Sequence, residues 1–173
     1  MGTRHLTSVI HKEETKVAQY GQWDGYPSGQ GLTILEFLRN KDNVQALKDK
    51  LRFVRFANEQ DGKEWGAYYK ALGSKGTGWV SMDISRKFHQ RYPLLSRDVG
   101  ADILEAITKL DEEVALQDSS QFKEDGLFCE WAYTIDLDKN KFIVENGAHA
   151  ECDIDNLPTD EEFLSLEDRE DED

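Results

Sequence analysis

Cysteine, proline and long apolar runs are scarce in this 173-residue chain. Only Cys129 and Cys152 are present, and no apolar leader precedes the first patterned segment. A secreted disulfide framework is therefore not expected, and a reducing, cytoplasmic setting is. No stretch of about 18 apolar residues occurs, so no transmembrane helix and no membrane partner are expected. Three prolines and 13 glycines exclude collagen-like and low-complexity classes. Basic residues are also few, with 21 Lys and Arg against 35 Asp and Glu and a net charge of -14. Such a chain repels phosphate backbones, and direct nucleic-acid binding loses its usual electrostatic driving force. What remains is enough for one ordinary domain, since a chain of this length buries roughly 70% of its unfolded surface.

The negative charge is concentrated at one end. Residues 151 to 173 hold 12 acids against Arg169 alone, whereas the rest of the chain is close to neutral. We therefore expect a single domain over residues 1–157 and an acidic, flexible tail over 158–173. If the tail has a function, it is as an acidic interaction surface for a host partner.

Periodicity gives the fold class. Leu6, Ser8 and Ile10 alternate with His5, Thr7, Val9 and His11, and the pattern resumes from Lys16 to Tyr20 after Glu13-Glu14-Thr15. These residues read as a hairpin. Every second residue from Leu127 to Leu137 is apolar or aromatic, and Asp138-Lys139-Asn140 then turns the chain into Lys141 to Glu145, a second hairpin. Helical spacing marks residues 31–39, a second helix capped by Asp42, a third at 83–90 ended by Pro93, and a fourth at 98–111. Residues 57 to 80 fit no template. The expectation is an α+β domain whose antiparallel sheet combines N-terminal and C-terminal hairpins under several helices.

Between the first strand pair and the first helix lies Gln19-Tyr20-Gly21-Gln22-Trp23-Asp24-Gly25-Tyr26-Pro27-Ser28-Gly29-Gln30-Gly31. Glycine permits close backbone approach to a ligand, aromatic faces stack on planar rings, and amides read hydrogen-bonding edges. Gly29, Gln30 and Gly31 precede a helix, whose free N–H groups can hold phosphate. With Arg4 and His5 beside them, Tyr20, Gln22, Trp23, Asp24, Tyr26, Gly29, Gln30 and Gly31 form the expected ligand-binding set. The competing reading is a structural loop with Trp23 and Tyr26 packed on the core.

Thr3-Arg4-His5-Leu6, Val17 through Pro27 and Gly29-Gln30-Gly31 together resemble an uncharacterised family of small proteins of tailed phages and some fungi. Ile135-Asp136-Leu137-Asp138 is similar to that family's later hairpin. The resemblance implies a phage protein acting in host cytoplasm. It also implies a role of the kind phages use against host immunity, sequestering or destroying a nucleotide signal. It assigns no catalytic residue.

The leading expectation is thus a non-enzymatic binding protein for a nucleotide-like small molecule, with no cofactor, no metal and no catalytic residue assigned. A homo-oligomer is compatible with it. Alternatives are a hydrolase using Asp24 with His5 or His11, and an N-terminal-nucleophile hydrolase exposing Thr3. Other motifs fall short. Asp136-x-Asp138-x-Asn140 lacks the glycine and distal glutamate of a calcium loop, and Gly73 to Gly78 lacks the Lys-Ser/Thr ending of a phosphate loop. His149, Cys152 and Cys129 offer only three scattered zinc ligands. Basic groups at Arg39, Lys41, Lys48, Lys50, Arg52 and Arg55, and at Arg86, Lys87 and Arg91, would serve a phosphate if either lay by the glycine turn.

Overall fold

Both hairpins are present in the computed structural model, which describes residues 2–75 and 80–170. The first is β1 (His5–His11) with β2 (Glu14–Gly21). Helices α1 (Leu32–Arg39) and α2 (Lys41–Lys50) follow, then a short strand β3 (Val54–Phe56), α3 (Glu59–Ala71), α4 (Met82–Arg91) and α5 (Ile103–Thr108). The chain returns through β4 (Val114–Leu116) to β5 (Trp131–Asp136), β6 (Lys141–Asn146) and β7 (Ala150–Asp153), and ends in α6 (Asp160–Glu170). Five strands form one sheet in the order β2-β1-β5-β6-β7, antiparallel except where β1 and β5 lie parallel; β3 and β4 pair separately. The domain is α+β. No helix among the described residues is long and apolar enough to cross a membrane.

The parallel β1–β5 contact joins the hairpins, and their turns are tied as well. Lys12 and Glu13 both take positive φ, 55° and 67°, a geometry that usually calls for Asn-Gly. Their amides donate to the two carboxylate oxygens of Asp138, at 2.8 and 2.7 Å, in the turn of the second hairpin. A carboxylate thus fills the concavity that two left-handed residues create.

All six residues of β5 are buried, because both sheet faces are covered. Trp131, Tyr133 and Ile135 face a core with Leu35, Leu47 and Ile107 from the helices. Leu6, Ala18, Cys129 and Ala132 face a smaller cluster closed by Phe56 and Phe122. The strand is shorter than its alternation suggests. The Asp125 side chain accepts from the amides of Leu127 and Phe128 at 3.2 and 3.1 Å, forming a turn that leaves both apolar side chains exposed.

Other boundaries also shift. Asn40, not Asp42, caps α2, its side chain accepting from the Asp42 amide at 3.0 Å. The helix expected over residues 98–111 begins later, since Gly100 has φ 50° and a tight turn precedes α5. Residues 57–80 contain α3, opened by a reciprocal capping box between Asn58 and Asp61. Residues 76–79, and with them part of the Gly73 to Gly78 motif, lie outside the described residues.

The tail expectation needs the largest correction. Residues 160–170 are helical, and Phe163 and Leu166 are 1% and 5% exposed within the main core. Two apolar residues three positions apart in an acidic segment are enough to dock one helix face. Arg39 fixes the start of the helix through Asp160 at 2.7 Å.

Candidate functional site

The glycine-rich loop closes over His5. This residue points inward from β1, fully buried, and neither ring nitrogen has a hydrogen-bond partner among the described residues. Burial lowers its pKa from 6.5 to about 4, so the ring is neutral near pH 7. Its space is made by absent side chains. A Cβ on Gly21, the cross-strand partner of His5, would lie 1.9 Å from Nε2, and one on Gly100 would lie 3.0 Å from the ring. Close backbone approach was expected here for a ligand; the ring approached is the protein's own. Thr3 is buried too, and its carbonyl accepts from the Gly25 amide at 2.9 Å.

The amides expected to hold phosphate are already engaged. Gly29 and Gly31 donate to the Tyr26 carbonyl at 3.0 and 3.2 Å, and Gln30 to that of Asp24 at 2.8 Å. The neighbouring Ser28 amide takes an internal anion, the Glu167 carboxylate of α6, at 2.6 Å. The Gln30 side chain turns away from solvent and accepts from the Ala101 amide at 2.9 Å. Ser28 and Gln30 thus tie the loop to α6 and to the turn before α5. They do not form an open phosphate turn.

The other half of the expected set faces outward. Trp23 is 45% exposed and Tyr26 44%, with Asp24 exposed between them. The Trp23 indole N–H donates to Asp98 Oδ1 at 2.8 Å, and the Arg97 guanidinium stands 5.8 Å from the centre of its ring. The Gln22 amide donates to the Arg97 carbonyl at 3.0 Å, while its side-chain oxygen accepts from the Tyr20 hydroxyl. Burial raises the Tyr20 pKa, opposed by the nearby charges of Arg4 and Arg97. Arg4 itself lies 4.7 Å from the centre of the Phe128 ring. Arg4, Tyr20, Gln22, Trp23 and Arg97 are therefore one neighbourhood.

Arg97 and Asp98 also border an open cleft of about 720 Å³ against α4, where Ser85, Arg86 and His89 line the opposite side. Ser85 Oγ and His89 Nδ1 are 3.4 Å apart. Arg86, one of the basic residues noted in the sequence, thus reaches the neighbourhood of the loop, though by Trp23 and not by Gly29 to Gly31. Arg97, Asp98, Ser85 and His89 escaped the sequence reading. The bond from Trp23 to Asp98 spans 75 positions, and such a link leaves no local pattern.

The remaining candidates separate. His11 is at the far end of β1 from His5, about 20 Å away at 3.3 Å per residue, and lies 3.9 Å from Asp138. Asp24 therefore has no exposed histidine of β1 beside it. Asp136 accepts from the amides of Asp138 and Lys139 at 3.1 Å each, as a hairpin turn requires. Cys129 is buried, and burial pushes its thiol up to about 11. Among the described residues no group of three His, Cys, Asp or Glu is placed to hold a metal ion. Arg55 is engaged by both oxygens of Asp61, at 2.6 and 2.9 Å, and by Glu113. Compared with known proteins, the chain matches no family model, no curated protein and no solved structure.

Proposed function

We propose that this protein binds a small anionic ligand with a planar ring, of the nucleotide class, at the corner formed by Trp23 and Arg97. The supporting observation is the Arg97 guanidinium 5.8 Å from the centre of the half-exposed Trp23 ring, bordering a cleft that also contains Arg86. An aromatic face offers stacking to a base, and two guanidiniums offer forked donors to phosphate. Cation sites of this kind stand out in a chain of net charge -14. The resemblance to phage proteins makes nucleotide signals of host immunity the first ligands to try, with capture as the function.

Calorimetry and thermal shift with mono-, di- and cyclic nucleotides test this reading. Trp23→Ala and Arg97→Ala should each cost about 1 to 3 kcal/mol of binding with little change in Tm. If no nucleotide raises Tm and both variants behave as wild type, the reading is wrong. Ser85 and His89, in hydrogen-bonding reach within the same cleft, favour hydrolysis as the second reading, in preference to Asp24 with His5. Mass spectrometry of the ligand released after incubation distinguishes them: an intact ligand means capture, a cleaved one catalysis.

A further inference from the structure

A second recess, of about 580 Å³, runs along α2, facing Leu137 and Asn140 on one side and Asp155 and Leu157 on another. Lys41 and Lys48 both line it. Seven residues apart, they share a helix face and are separated by about 10 Å along the axis. Among the described residues no carboxylate lies within 4.0 Å of either ammonium. The acid in the lining, Asp155, is instead bonded by the Asn140 side chain at 2.8 Å, and Arg39 is taken by Asp160.

Two features make this pair unusual. Lys48 is half-buried, its stem lying along the apolar lining of the recess. Lys41 is the first residue of α2, at the positive end of the helix dipole, where acids are normally placed. Among the described acids none lies within ion-pairing distance of either lysine. Between the lysines the groove floor is apolar, with Val44, Leu137 and Leu157.

We infer that this groove docks an acidic segment of a partner protein in polyproline II conformation, with carboxylates three residues apart. In that helix, residues i and i+3 lie on the same side about 9 Å apart, close to the rise of about 10 Å between the two lysine backbones. A β-strand instead places same-side residues about 7 or 13 Å apart. The apolar floor receives a nonpolar residue between the two acids, as in other groove-bound peptides. This inference is independent of ligand binding at Trp23.

Fluorescence anisotropy tests it with a labelled hexapeptide carrying two glutamates three positions apart, with leucine and proline between them. The peptide should bind, and Lys41→Glu combined with Lys48→Glu should weaken it by at least about tenfold at unchanged Tm. Nucleotide binding by that variant should be unaffected. A peptide with glutamates two positions apart should bind less well. Equal binding by wild type and variant would overturn the proposal, as would no binding at millimolar peptide. Displacement by an equimolar amount of inorganic phosphate would overturn it too, since it would show a simple anion site.

Discussion

A neutral histidine sealed in a core couples stability to pH. In the folded state His5 stays uncharged down to about pH 4, whereas in the unfolded chain it takes a proton near pH 6.5. Between these values the unfolded state binds more protons, so stability is complete above about pH 6.5 and falls as pH drops towards 4. The shift corresponds to about 3 kcal/mol at most, at 1.36 kcal/mol per unit. Denaturant titrations from pH 7 to 4 should show this slope in wild type and its loss in His5→Leu. An unchanged slope would mean that His5 protonates freely. Trp131, fully buried and stacked parallel to Tyr133, gives a separate measure of the core: Trp131→Ala should cost about 3 to 5 kcal/mol. At this scale the sequence was legible in part. The alternation around Trp131 marks a buried face, but a glycine that makes room for a ligand and one that makes room for His5 look alike until the fold is known.

Among the elements, the junction of the two hairpins is the most exposed to single changes. Asp138 holds both left-handed residues of the Lys12-Glu13 turn, and their amides keep its carboxyl below its ordinary pKa. Its contribution is therefore complete above about pH 4 and lost as pH falls through the folded value, a window below that of His5. Asp138→Ala should lower Tm and flatten the acid limb. Glu13→Gly should act in the opposite direction, relieving a positive φ by roughly 1 kcal/mol and raising Tm by about 2 to 4 °C. Removing the buried ring of α6 by Phe163→Ala should cost about 3 to 5 kcal/mol, an effect a flexible tail would not show. Helices with an apolar stripe, such as α1 and α2, were readable from their spacing. The α3 helix was not, because it carries Gly62 and Gly66 and packs through aromatic pairs, including Tyr69 stacked 3.9 Å from Phe88. Strands β3 and β4 are three residues long, too short for alternation to register.

Across the whole molecule, charge is arranged with two opposite consequences for salt. Excess negative charge repels itself and weakens the folded state, most of all around residues 151 to 173 with their 12 acids. The cation sites face the other way: Arg97 with Arg86 at the cleft, Lys41 with Lys48 at the groove. Overall charge and its segregation could be read from composition. That these cations gather in recesses could not, since it depends on which distant segments the fold brings together. Shortening the Debye length from about 30 Å at 0.01 M salt to about 10 Å at 0.1 M screens both effects. The ligand-free protein should therefore gain Tm, by a few degrees, as salt rises over this range, while its affinity for an anionic ligand at Arg97 falls. Thermal scans and calorimetry on the same samples provide both signs. A Tm that drops with salt would show that ion pairs such as Arg39 with Asp160 outweigh self-repulsion, and a salt-independent affinity would remove the guanidiniums from the binding site.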